Sequence, residues 1–120
     1  MTRKHSLFVE DILDAIIWIE RFTQDMHIEQ FRADEKTKTA VVKKLEILGE
    51  ATKNIPKAIR DKQKGIPWTD MAKMRDKLSH EYFGVRDDIV WKVATEKLPG
   101  IKQGIEKMLN DLKAEEKDKE

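Results

Sequence analysis

The feature that most constrains the fold of this chain is the spacing of its apolar residues, which recur every three or four positions almost from end to end. This spacing places them on one face of a helix, and no convincing apolar/polar alternation bounded by hairpin turns occurs. The sequence therefore predicts an all-α protein, an up-and-down bundle of four to five helices with short connections. Because 120 residues suit one core, we expect a helical domain over 1–113 and a frayed, charged tail over 114–120.

Polar residues with free hydroxyl or carboxylate groups precede most of the predicted helices. Such side chains can accept hydrogen bonds from the first turn of a helix. The predicted N-caps are Ser6, Asp34 or Thr37, Thr69, and Asp87 or Asp88, and Pro99 opens the last helix. The first helix is apolar over so much of its surface that it requires several neighbours in its own chain or a second subunit.

Composition excludes several classes of protein. The chain contains no cysteine, which rules out a disulfide framework and any thiolate metal site or nucleophile. No apolar run approaches the length needed to span a bilayer, and Glu10 and Asp11 interrupt the N-terminus before a signal peptide could form. We therefore expect a cytoplasmic protein that starts near Met1, with no membrane association, bound metal or cofactor.

Positive charge is concentrated in one segment, although the formal net charge is only +1. Residues 57–77 hold seven cations against three acids, a local balance of +4. A solvated helix face explains this equally well as a surface that attracts a polyanion. If the polyanion is RNA, the candidate binding residues are Lys64, Lys73 and Lys77.

The stretch MRDKLSHEYFG, residues 74–84, carries the candidate chemistry. Asp76 and His80 are four positions apart, so a helix places them on one face within hydrogen-bonding reach. A carboxylate that accepts from one imidazole nitrogen orients the ring and leaves the other nitrogen to exchange a proton near neutral pH. Arg75 adds a planar cation that can bind a phosphate and stabilise charge on it. Gly84 can end the helix.

These groups fit metal-independent RNA cleavage, in which a base takes the ribose 2′-OH proton and a cation stabilises the phosphorane. The reaction also needs an acid for the leaving oxygen, and a two-fold dimer would supply a second histidine. The alternative is structural, because an Asp/His pair near a helix end commonly forms a surface hydrogen bond.

Other residues that could carry chemistry are more simply structural. Trp18, Trp68 and Trp91 are predicted to lie in the core, and Trp68 could brace the start of its helix. Glu46 and Glu50 could bind a cation, but an exposed flank beside Gly49, which permits close helix packing, is favoured. His5 and His27 lack a metal-ligand partner at useful spacing and are predicted to be exposed.

The segment RDKLSHEYFG resembles the R-x4-6-H signature of the HEPN superfamily, in the R-x4-H-x-Y form of the HepT toxins of HepT/MntA toxin–antitoxin systems. The similarity extends to LEILGEATKNIP and to GIPWTDMAKMRDKLSHEYFGVRDDIVWKVATEKLP, so it covers most of the chain.

This resemblance implies a HEPN-like homodimer that acts as a metal-independent endoribonuclease on RNA, either tRNA or mRNA. It assigns catalysis to Arg75 and His80, with Asp76 at the polar position after the arginine. It also implies that Tyr82 accepts AMP from ATP, transferred by a MntA-like minimal nucleotidyltransferase that serves as antitoxin in a type VII system. The added anion would fill the cleft and occupy Arg75.

Two other functions share the same fold. A noncatalytic adaptor or nucleotide-binding subunit of a nucleotidyltransferase pair would lack Arg75 or His80, and both are present. An inert helical scaffold would have an apolar cleft. The many ionisable residues of the motif argue against such a cleft.

Overall fold

The computed structural model describes residues 3–80 and 86–119, with the backbone alone for Ser79 and His80. Its α-helices are α1 (His5–Thr23), α2 (Ile28–Ala33), α3 (Glu35–Lys53), α4 (Lys57–Arg60), α5 (Trp68–His80), α6 (Asp87–Lys92) and α7 (Leu98–Asp118). A 3₁₀ turn, Asp61–Gln63, follows α4, and a π-helical segment, Val93–Lys97, joins α6 to α7. These described ranges contain no strand, which confirms the all-α prediction.

Helix α1 lies at the centre of the packing and contacts both α3 and α7. Two contacts show that it runs antiparallel to α7. Ser6 bonds to Glu116 near one end of the pair, and Glu20 pairs with Lys102 near the other. Helix α3 in turn packs against α5. The core shared by these helices includes side chains with almost no exposed surface, namely Ile12, Ile16, Ile19, Leu45, Leu48, Leu78 and Ile105. Helix α5 therefore packs mainly against α3 and contributes Leu78 to the core.

The start of α3 is where the sequence predicts it. Asp34 is the N-cap and accepts a hydrogen bond from the Thr37 backbone nitrogen at 3.0 Å. That bond, with a second from the Thr37 hydroxyl, lowers the pKa of the Asp34 carboxyl below its ordinary value. The short helix α2 just before α3 was not predicted. Phe31 is its one fully buried side chain, so α2 does not show the repeated apolar spacing from which the longer helices are predicted. The ring of Phe31 lies 5.1 Å from that of Trp91, so a distant contact stabilises α2.

Ser6 and Thr69, two of the predicted N-caps, lie inside their helices instead, as do Asp87 and Asp88, which follow the N-cap Arg86. α1 already begins at His5, and the Ser6 hydroxyl donates to Glu116 across the bundle rather than capping its own helix. α5 begins at Trp68, and the carbonyl of Pro67 accepts from the Met71 nitrogen at 3.0 Å, so Thr69 belongs to the first turn. In both cases the sequence contains a residue that could cap, and packing places the helix end one or two residues earlier.

The C-terminal part of the chain is more continuous than predicted. Helical structure runs from Asp87 to Asp118, and Asp87 and Asp88 lie in its first turn. Pro99 lies at the start of α7, but the π-helical segment before it keeps the chain helical where the sequence predicts a break. Residues 114–118 are helical where a frayed tail is predicted, because Glu116 bonds to Ser6 on α1.

The three tryptophans differ in burial. Trp68 is buried, and its Nε1 donates to the carbonyls of Arg60 and Gln63 at 3.0 and 3.1 Å, so it does brace the start of α5. Trp91 is partly buried. Trp18 is 39% exposed, and the prediction that it lies in the core is wrong. Within the described ranges, no helix combines the length and apolar character needed to cross a membrane.

Candidate functional site

The predicted motif lies at the C-terminal half of α5. Arg75 and Asp76 are half-exposed on this helix, and His80 is its last residue. The side chain of His80 and the whole of Tyr82 lie outside the described residues. The geometry of the site therefore begins with Arg75 and Asp76 and with the helix that packs against them.

Close packing of α3 on α5 holds Arg75 against the body of the protein. At Gly49 of α3, a built Cβ would overlap the Cβ of Arg75 and lie 3.0 Å from the carbonyl oxygen of Met71. Only glycine allows the two backbones to approach this closely. The expectation that Gly49 permits close helix packing is confirmed, and the arginine that the motif supplies sits at the contact.

Four alternating charges connect the two helices at this contact. Arg75 Nε lies 3.2 Å from Glu50 Oε2 on α3, and Arg75 Nη1 lies 3.5 Å from Asp76 Oδ1. The same Asp76 oxygen accepts a hydrogen bond from Lys53 Nζ, also on α3. We call Glu50, Lys53, Arg75 and Asp76 the charge network. Its formal charges sum to zero.

The network favours the ionised form of Asp76. The hydrogen bond from Lys53 lowers the pKa of the Asp76 carboxyl below its ordinary value of 3.8, and the Arg75 guanidinium acts in the same direction. Among the described residues, the partners of Asp76 are thus two cations. A bond from Asp76 to His80 stays a prediction, and it would use the second carboxylate oxygen.

Arg75 also lines a groove of about 300 Å³ between α1 and α3. Its charged lining residues are of both signs: Arg3, Asp11, Lys43, Glu46, Glu50 and Arg75. Arg3 and Asp11 pair at 2.7 Å. The groove is open to solvent, and its three cations, one of them Arg75, are balanced by three carboxylates.

The predicted RNA-binding lysines lie elsewhere. Lys73 and Lys77 are exposed on α5, but their helical spacing puts them on the side roughly opposite Arg75, and neither lines the groove. Lys64 is exposed in the turn before α5. Their role in binding RNA stays a prediction.

The described part of the chain offers no metal site. Residues 3–80 and 86–119 contain no group of three His, Cys, Asp or Glu side chains arranged to hold a metal ion. His27 is exposed at the start of α2, as predicted. His5 is partly buried in the first turn of α1, and the prediction that it is exposed is wrong, because packing against the rest of the bundle covers this end of the helix.

The sequence pattern indicated no role for Lys53 and favoured an exposed flank for Glu50 over a cation site with Glu46. A signal was present, because Lys53 follows Gly49 by four positions and therefore lies on the same face of α3. That face becomes important only once α5 is known to pack on it. The separation of four residues could have suggested that Gly49 and Lys53 contact the same neighbouring helix.

Comparison with known proteins identifies the family to which this chain is similar. The family model described as "Ribonuclease HepT-like" matches residues 12–108. A Thermococcus cleftensis protein named "Probable ribonuclease HepT" is 47% identical over 90% of this chain and 98% of its own length. A Methanocaldococcus jannaschii protein named "Putative RNase MJ0127" is 40% identical over 91% of this chain and 90% of its own length.

A more distant relative, "Putative RNase TTE0752" of Caldanaerobacter subterraneus, is 37% identical over 88% of this chain and 95% of its own length. No solved structure matches the chain. The family model covers the four residues of the charge network and His80. The chain belongs to the ribonuclease HepT-like family.

Proposed function

We propose that this protein is the toxin of a type VII toxin–antitoxin system, a metal-independent endoribonuclease of the cytoplasm that cleaves tRNA or mRNA. Family membership supports ribonuclease activity. The single structural observation that carries the proposal is the position of Arg75, half-exposed at an open groove and five residues before His80, the last residue of α5.

The chemistry assigned to each residue follows from its charge and titration range. His80 takes the proton from the ribose 2′-OH, which then attacks the adjacent phosphate and displaces the 5′-oxygen. Arg75 stabilises the charge that develops on the phosphorane, since its planar fork matches phosphate oxygens. Asp76 orients the imidazole through its second oxygen. Lys64, Lys73 and Lys77 attract the RNA backbone.

The active species in this proposal is a homodimer. One chain contributes one histidine to the motif, whereas cleavage needs a base for the 2′-OH and an acid for the leaving 5′-oxygen. A two-fold axis near the groove would bring two copies of Arg75 and His80 to one phosphate. Helix α1 has a wide apolar surface, and Trp18 on this helix is 39% exposed. Both features are consistent with contact to a second subunit.

Regulation is assigned to Tyr82, two residues after His80. A MntA-like nucleotidyltransferase would transfer AMP from ATP to its hydroxyl, releasing pyrophosphate and forming a phosphodiester. The new phosphate is an anion beside the catalytic residues, so it would compete with substrate for Arg75. The modified enzyme is then inactive without any change in fold.

Cleavage of RNA in the presence of a chelator tests the catalytic proposal. Purified, unmodified protein is expected to cut single-stranded RNA in excess EDTA, and His80→Ala is expected to abolish cutting while helix content by circular dichroism stays the same. His27→Ala is the matched control, because His27 is exposed at the start of α2. Its cleavage rate should stay within about twofold of the wild type.

Persistent cleavage by His80→Ala would contradict the mechanism. Absence of cleavage by every form, together with retained binding to a nucleotidyltransferase, would favour the noncatalytic adaptor instead. Activity that disappears in EDTA and returns with a divalent cation would contradict metal independence.

A further inference from the structure

The charge network places two carboxylates beside the arginine that must bind a phosphate. Glu50 holds Arg75 through Nε, and Asp76 lies 3.5 Å from Nη1. Each carboxylate lies at ion-pair distance from the guanidinium and repels an incoming polyanion. A ribonuclease site with this arrangement needs a further cation to reduce the repulsion between these carboxylates and the RNA backbone.

Lys53 is that cation. Its ammonium bonds to the Asp76 oxygen that also faces Arg75, and it comes from α3, not from the motif. With Lys53 present, Asp76 shares its charge between two cations. Without it, the remaining members of the network carry a net charge of −1, and Arg75 is the remaining described cation beside Asp76.

We propose that Lys53 is a positioning residue of the ribonuclease site, which binds Asp76 and so leaves the guanidinium of Arg75 available to the substrate phosphate. This inference rests on the proposed function and goes beyond it, since Lys53 lies outside the motif. Lys53 acts through Asp76 and does not itself touch the substrate. Removal of Lys53 should therefore weaken RNA binding, and removal of the Asp76 charge should restore it.

The first measurement compares Lys53→Met with the wild type in steady-state cleavage of a single-stranded oligoribonucleotide. KM is expected to rise about tenfold at low salt, and kcat to stay within about twofold, because the change acts on phosphate binding. The increase in KM should shrink as salt is raised, since added ions screen the uncovered carboxylate. Lys53→Arg, which keeps the charge, should remain close to the wild type.

The second measurement adds Asp76→Asn to Lys53→Met. The double variant removes both charges and returns the network to a net charge of zero, so KM should return to within about twofold of the wild type. Asp76→Asn alone should not raise KM. Any fall in kcat in that single variant reports separately on the predicted orientation of His80.

Lys57→Met is the matched control. Lys57 also pairs with an aspartate, Asp61, at 2.9 Å on the surface, and neither residue belongs to the charge network. It does not line the groove. Its loss removes the same charge from the protein, and KM should stay within about twofold of the wild type.

Three results would overturn the inference alone: an unchanged KM in Lys53→Met, a raised KM that Asp76→Asn fails to restore, or an equal rise in Lys57→Met. The second result would mean that Lys53 contacts RNA directly or supports the fold. Thermal unfolding of Lys53→Met within a few degrees of the wild type excludes a collapse of the helix pair. A wild-type protein that does not cleave RNA would instead overturn the proposed function, and this inference with it.

Discussion

Gly49 of α3 lies directly against the Cβ of Arg75 on α5, and no larger residue fits between the two helices. The contact joins a packing requirement to the proposed site. The glycine allows close packing of the helices, and the same approach brings Glu50 and Lys53 to the charges of Arg75 and Asp76. The position of the guanidinium therefore depends on a residue 26 positions earlier in the chain.

Substitution of Gly49 by alanine should destabilise the protein. The added methyl group would overlap the Arg75 Cβ and crowd the Met71 carbonyl, both parts of a helix rather than flexible side-chain ends. Overpacking of this kind costs about 1–3 kcal/mol in free energy of unfolding. Urea denaturation followed by circular dichroism measures the loss, and cleavage activity should fall with it because Arg75 is displaced.

Gly100→Ala is the control for that measurement. A Cβ at Gly100 meets nothing within 4 Å, and Gly100 lies in α7. Alanine has the higher helix propensity, so this variant should be more stable by up to about 1 kcal/mol. Equal losses in the two variants would contradict the steric account.

Replacement of Arg75 by lysine should reduce kcat about a hundredfold, although the positive charge is kept. An ammonium group cannot hold Glu50 and present a planar pair of donors to a phosphate at the same time. The measurement is RNA cleavage under saturating substrate. Arg32→Lys, an exposed position on α2, serves as control and should stay at the wild-type rate. Full activity in Arg75→Lys would show that charge alone is sufficient.

The bond between Ser6 and Glu116 should make stability depend on pH. Hydrogen bonds from the Ser6 hydroxyl, at 2.6 Å, and backbone nitrogen lower the pKa of Glu116 below its ordinary value of 4.5. Because the pKa is lower in the folded state, the stabilisation is present above pH 4.5 and is lost as the pH falls through the folded pKa.

Ser6→Ala tests this pH dependence. At pH 7 the variant should be less stable than the wild type by about 1 kcal/mol, since it loses a hydrogen bond to a charged group. Urea unfolding at a series of pH values should show the difference shrinking below pH 4.5. A difference that stays constant down to about pH 3 would mean that the serine acts through packing and not through the carboxylate.

The exposed and buried tryptophans should respond differently to the same substitution. Trp68→Phe removes the donor to the Arg60 and Gln63 carbonyls and leaves a smaller ring in a buried site, at a cost of about 1–3 kcal/mol. Trp18→Phe should cost less than about 1 kcal/mol, because Trp18 is 39% exposed, beside Arg21 and Lys44. Unfolding free energies that rank the other way would contradict the assigned burial.

Tyr82→Phe tests the regulatory proposal. Incubation of the wild type with the cognate nucleotidyltransferase and ATP should raise its mass by one or more AMP units and stop cleavage, whereas the Phe variant should stay unlabelled and active. Intact-protein mass spectrometry measures both. Labelling of the Phe variant would place the modification at another residue.

Sequence alone identified the parts whose pattern is local. The three-to-four-residue spacing predicts the main helices, Asp34 caps α3 as expected, and the spacing R-x4-H-x-Y predicts a site that includes Arg75. These features depend on residues within one or two turns, so backbone geometry alone connects them. The resemblance to the HEPN superfamily likewise rests on the order of residues along the chain, in the motif and in the two stretches that extend it.

Features that depend on distant residues were not predictable in this way. Helix α2 is stabilised by the packing of Phe31 on Trp91, and the last turn of α7 is bonded to Ser6 across the bundle. Trp18 looks like a core residue by type, but the bundle leaves its face only partly covered. A hydrophobic side chain favours burial, but whether it is buried depends on how the neighbouring helices are arranged.

The sequence by itself determined that the chain is helical and that Arg75, Asp76 and His80 lie on one helix. Only the tertiary structure decided which charges surround them, because Glu50 and Lys53 reach Arg75 and Asp76 from another helix at a separation of more than 20 residues. Helical periodicity acts over a few residues, whereas the balance of charge at the site depends on how closely α3 and α5 pack at Gly49.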